Sequence, residues 1–132
     1  KMEKFAHEHN LNKNITMPGY LPHKDIFSAY NASDIIAFPS TTETQGLSLL
    51  EGLAMGTPAV AINKMGVKDI LTNNKGGFLC EENIDEFCNR IIQLIENDTL
   101  YKEKKKETQG IKSKYDIKTL TQNVIQIYQS IK

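Results

Sequence analysis

The chain has 132 residues, enough for one domain with one sizeable core. Sixteen basic and sixteen acidic residues cancel, so neither nucleic acid nor a generally basic surface is implied as the partner. Lysine outnumbers arginine fifteen to one, a bias read here as that of an AT-rich bacterial genome; Arg90 is the single arginine.

Along the chain, residues 1–9 read as a polar helix with Met2, Phe5 and Ala6 as its apolar positions, and Ile15 to Met17 as a short strand. Lys24 to Asn31 reads as a helix turning Ile26, Phe27 and Tyr30 inward. Asp34 to Phe38 is nearly all apolar, as expected of a parallel strand buried on both faces, and Pro39-Ser40-Thr41-Thr42 ends it. From Gly46 onward Leu47, Leu50, Leu53 and Ala54 recur at helical spacing until Gly56-Thr57-Pro58, and Ala59 to Ile62 reads as a second buried strand. Val67 to Leu71 fits a short helix, residues 73–76 a turn, Gly77 to Cys80 a strand. Ile84 to Ile95 and Ile117 to Ile131 carry apolar residues at amphipathic helical spacing.

The unit strand, loop, helix, strand over residues 34–62 is where chemistry is expected, because ligands of open parallel sheets gather beyond the carboxyl ends of strands. Glu43 lies in the loop and Glu51 about one turn inside the helix. The amides of Gln45, Gly46, Leu47 and Ser48 would be the unpaired donors of the first turn, reinforced by the helix dipole and suited to a diphosphate. Glycine at position 46 would let the backbone approach that guest closely, and the Ser48 hydroxyl would add a donor. Glu51 lies too deep to face phosphates, so vicinal hydroxyls, as on a ribose, suit it better; Glu43 can reach past the phosphates to a sugar. Two glutamates eight positions apart are, by themselves, most often only a solvated helix start.

The wider pattern resembles the donor-site signature of retaining GT-B glycosyltransferases of group 1, also called family 4. Ala54-Met-Gly-Thr-Pro58 follows the second glutamate, and Met17-Pro-Gly-Tyr-Leu-Pro-His23, Ala29 to Asp34, Phe38-Pro-Ser40, Met65-Gly-Val67 with Asp69-Ile-Leu71, and Gly76 to Leu79 agree in order. The similarity spans roughly residues 1 to 97. It implies a Rossmann-like, three-layer α/β domain with a parallel sheet: the C-terminal, nucleotide-sugar-binding half of a two-domain enzyme, truncated at its N-terminus and inactive alone. By position it implies that Glu43 lies at the donor sugar, with Thr44 beside it, that Gln45 to Ser48 face sugar and diphosphate, and that Glu51 binds ribose. The family more often has Gly-Phe where this chain has Thr44-Gln45, and Glu-Thr-Gln-Gly-Leu is similar to bacterial diacylglycerol glucosyltransferases. UDP-glucose as donor, retention, and a diacylglycerol or other glycolipid acceptor read by the missing N-terminal domain are the corresponding expectations. Two alternatives from the same fold stay open: a non-catalytic nucleotide-binding or regulatory module, and an epimerase-like relative.

No Asp-x-Asp motif is present, so a metal-independent site without a cofactor is expected, with dipole and amides in place of a cation. Lys102 to Lys114 holds six lysines against two glutamates, expected to be a solvated helix face or, more sharply, a surface drawn to anionic lipid. With neither a secretory signal nor a membrane-length apolar run, a cytoplasmic, at most peripheral, protein is expected. Cys80 and Cys88 are expected as buried, reduced thiols. His7, His9 and His23 are expected as surface histidines, with His23 in a loop.

Overall fold

The computed structural model describes residues 1–131. Helix α1 (Met2–Glu8) buries only Ala6 and leaves Met2 and Phe5 exposed. Residues 15–17 form no strand, a correction to the sequence expectation: no described strand lies beside them to pair with. Helix α2 (His23–Ala32) begins directly after Pro22 and half-buries Ile26, Phe27 and Tyr30. Strand β1 (Ile36–Phe38), helix α3 (Leu47–Ala54) and strand β2 (Ala59–Ile62) follow. Then come α4 (Met65–Ile70), a 3-10 turn (Thr72–Asn74) and β3 (Gly77–Cys80), and the chain closes with α5 (Ile84–Glu96), α6 (Asp98–Lys114) and α7 (Ile117–Ser130).

The three strands are parallel in the order β1-β2-β3, with Ile36 beside Ala59 and Ala59 beside Gly77. Alternate residues serve opposite faces. Ala59 and Ala61 join Leu49, Leu53, Val67, Ile70, Leu71 and Ile111 in a core under α3, α4 and α6. Val60, Ile62, Phe78 and Cys80 join Leu94 in a second core under α5. The result is the expected three-layer Rossmann-like arrangement, in which β2 is buried throughout. β1 is not: Ala37 is exposed, because the strand lies at the sheet edge and α5 packs over β2 and β3.

Within α3 the buried residues are Leu49, Gly52 and Leu53, while Leu47 is 59% exposed. In so apolar a helix the spacing fits more than one face, and the sheet decides. Along α7 no residue is buried, and Ile117, Leu120, Val124, Ile127 and Ile131 are all exposed. Cys80 is buried, and burial, followed by the charge of Glu86, pushes its thiol up. Cys88 is exposed rather than buried, because it lies on the outer face of α5.

Five of the six lysines in residues 102–114 are exposed, but Lys104 is buried. Its Nζ donates to the Asn74 carbonyl (2.8 Å) and to Glu107 Oε2 (3.0 Å), which also accepts the Gly76 amide (2.9 Å). The cluster ties α6 to the turn before β3. Glu107→Ala strips the Gly76 amide of its acceptor and leaves the buried Lys104 ammonium with the Asn74 carbonyl but no counter-charge, and is expected to cost about 2–3 kcal/mol. Lys104→Met keeps the side-chain volume and should cost less. Urea unfolding of both variants checks this, and the reverse order would contradict it.

Candidate functional site

The loop of residues 39–46 leaves the carboxyl end of β1 and enters α3 through Gly46, whose φ is +66°. That left-handed conformation by itself accounts for a glycine. A Cβ there would point inward, 2.7 Å from Ile70 Cδ1. A fold requirement thus stands beside the expectation that Gly46 admits a guest: the residue is buried against α4.

Glu43 turns back on its own loop. Its Oε1 accepts the amides of Gln45 (3.1 Å) and Gly46 (2.9 Å). Two of the four amides expected to be free are thus taken, a correction to the sequence reading. Those of Leu47 and Ser48 have no acceptor among the described residues, and Thr44, Gln45, Leu47 and Ser48 are exposed. Glu43 Oε2 takes neither of these two bonds. The loop is fixed by its own carboxylate, which leaves one carboxylate oxygen and two first-turn donors at one end of the sheet.

The Gly46 amide, and after it the Gln45 amide, hold the Glu43 carboxyl below the ordinary carboxylate range. A carboxyl lowered on folding stabilises the loop fully above its unfolded value, about 4.3, and loses that contribution as pH falls through the lower folded value. The midpoint at which the amide shifts of Gln45 and Gly46 move with pH should therefore lie below the ordinary glutamate value. A midpoint above the ordinary glutamate value would contradict this, and Glu43→Gln should remove the transition.

Glu51 lies one turn further along α3, half-buried. It lines a groove of about 320 Å³ with Phe27, Leu50, Ala54, Tyr115 and Ile117. Burial, and next the Glu51 charge, raise the Tyr30 phenol. Two neighbours were not foreseen from sequence. His23, expected in a loop, is the first residue of α2, with Nε2 3.9 Å from Glu51 Oε1. Gly66 lies under the loop: a Cβ on it would be 2.3 Å from the Thr44 carbonyl oxygen. Met65-Gly-Val67 had been visible only as a matching flank, and the 28 positions between His23 and Glu51 hide their proximity.

The structure brings Glu43, Thr44, Gln45, Gly46, Leu47, Ser48 and Glu51 to one edge, beyond β1 and along α3. His7 and His9 belong to the N-terminal segment, where His9 Nδ1 lies 3.0 Å from the Phe5 carbonyl oxygen. A wider depression of about 550 Å³ on α5, around Glu81, Glu86 and Arg90, holds none of the motif residues. Among the described residues no cluster of three or more His, Cys, Asp or Glu could hold a metal, and no helix is long and apolar enough to cross a membrane.

Known proteins match this arrangement. The poly(ribitol-phosphate) alpha-N-acetylglucosaminyltransferase of Staphylococcus aureus (strain COL) is 30% identical over 135 residues, 98% of this chain and 27% of that protein. The processive diacylglycerol alpha-glucosyltransferase of Acholeplasma laidlawii is 47% identical over 51 residues, 39% of this chain and 15% of that enzyme. Among solved structures, Anabaena HepE in complex with UDP and glucose superimposes with a TM-score of 0.81 at 23% identity, covering 98% of this chain and 35% of its own. The chain thus spans roughly a third or less of the proteins it matches. The family model for group 1 glycosyl transferases matches residues 1–112, and the chain belongs to that family.

Proposed function

We propose that this chain is the donor-binding part of a retaining glycosyltransferase that moves a hexose from a UDP-sugar, UDP-glucose, to a lipid acceptor such as diacylglycerol. The carrying observation is the self-capped loop: Glu43 fixes the entry to α3 while the Leu47 and Ser48 amides remain available beyond the carboxyl end of β1. Those amides and the α3 dipole would take the diphosphate without a metal or cofactor. Glu51 would accept the ribose hydroxyls. Glu43 Oε2 would hold the sugar, a positioning role rather than that of nucleophile. Donors set in advance stabilise the departing UDP and an oxocarbenium-like sugar without reorganisation during the reaction. HepE, solved with UDP and glucose, supports the ligand class. A further domain would supply acceptor contacts and more diphosphate charge, so this chain alone should bind donor weakly and turn nothing over. The exposed lysines of α6 suit peripheral attachment to an anionic cytoplasmic membrane face.

Calorimetric titration with UDP and UDP-glucose tests the reading. Glu51→Ala removes an acceptor of charge-assisted hydrogen bonds and is expected to weaken UDP binding about tenfold or more. Glu43→Ala should lower nucleotide affinity only a few-fold and cripple transfer in the intact enzyme. Equal loss of UDP affinity in the two variants would contradict this division.

A further inference from the structure

We infer that His23 is a positioning residue for the nucleoside end of the site, acting through Glu51; the inference rests on the donor-site reading above. Topology places the pair. α2 runs antiparallel to the strands, so its first turn lies at the same end of the sheet as the first turn of α3. Thr57 Oγ1 donates to the Tyr30 carbonyl at 2.7 Å, fixing the far end of α2 to the turn that precedes β2. His23 is thereby carried on an anchored helix to within 3.9 Å of Glu51.

The imidazole is braced a second time. It packs edge-on to Phe27, with ring centroids 4.8 Å apart and planes at 69°, and Phe27 lines the same groove as Glu51. One contact could be incidental on a side chain that is 72% exposed. Two contacts, Phe27 one turn along its own helix and Glu51 on α3, hold the ring at the rim of the groove with Nε2 toward the carboxylate.

A glutamate on an open helix face samples many rotamers, whereas a diol needs both carboxylate oxygens presented together. The imidazole beside Oε1, in contact at 3.9 Å rather than hydrogen-bonded, narrows that choice before the ligand arrives. His23 therefore acts on the ribose hydroxyls and not on the diphosphate, which the amides of α3 receive elsewhere.

The test compares UDP with 2′,3′-dideoxy-UDP, which lacks the diol, on the wild-type chain, His23→Ala, His23→Gln, Glu51→Ala and the double variant. Wild type should prefer UDP. His23→Ala should weaken UDP about threefold to tenfold and leave the dideoxy analogue unchanged. His23→Gln, whose amide can reach the place of Nε2, should recover most of the loss. Adding His23→Ala to Glu51→Ala should change nothing more, since the effect passes through the carboxylate. If Glu51→Ala weakens UDP and His23→Ala does not, the donor reading stands and the inference is overturned. Equal loss of both nucleotides in His23→Ala also overturns it, because the histidine would then only support the fold. Failure of the wild type to bind either nucleotide overturns the donor reading, and the inference with it.

Discussion

Gly77→Ala is expected to destabilise the domain by about 3 kcal/mol or more, at the upper end of single-substitution effects. Gly77 opens β3 and lies beside Ala59 in the parallel ladder. A Cβ built on it would lie 1.9 Å from the Ala59 carbonyl oxygen and 2.8 Å from its carbon. Neither side can yield. Ala59 belongs to the fully buried central strand, and the residue before Gly77 is tied through its amide to Glu107 on α6. Relief would require separating β2 from β3, and with them the seam between the two cores. Thermal or urea unfolding measures the cost; a variant within about 1 kcal/mol of wild type would show that this edge yields more readily than its packing implies.

Gly66→Ala is expected to act on the site more than on the fold. The added Cβ would meet only the backbone of the loop of residues 39–46: the Thr44 carbonyl oxygen at 2.3 Å, its carbon at 2.8 Å and Gln45 Cα at 3.0 Å. On the other side, α4 is anchored by Val67 and Ile70, both buried. Thr44 and Gln45 are exposed, so the loop moves and the helix stays. The shift displaces the Thr44–Gln45 backbone and with it reorients the first turn of α3, which carries the Leu47 and Ser48 amides. A hydrogen bond to a charged group is worth about 1.5–3 kcal/mol, so misaligning the first-turn amides should lower UDP affinity in Gly66→Ala by about tenfold or more, with a stability loss of about 1–3 kcal/mol. Unchanged affinity would mean that the loop does not depend on α4 for its position.

These two glycines show where sequence reasoning stops. Their types and places were plain, yet what a side chain would strike depends on β2 and on the loop before α3, 18 to 22 positions away. The strand, loop, helix and strand of residues 34–62 were legible because an apolar run, a proline break and a Gly-Thr-Pro stop punctuate them locally. β2 and β3 came out with the expected boundaries for the same reason. Residues 15–17 misled because a short apolar segment becomes a strand only where a neighbour offers a ladder. The Glu43 cap was missed for a different reason. A loop carboxylate two and three positions before free amides can bond them itself, and spacing alone does not separate that from reaching a ligand. Lys104 looked like one more surface lysine, and its acceptor, the Asn74 carbonyl, lies thirty positions away.

Amide-resolved NMR titration of the chain with UDP tests the central claim most directly. The donor-site account predicts the largest shifts at the Leu47 and Ser48 amides, smaller ones at Gln45 and Gly46, whose protons stay on Glu43, and a response at Glu51 that disappears in Glu51→Ala. Shifts centred on the depression around Glu81 and Arg90, or a pattern unchanged by Glu51→Ala, would contradict it.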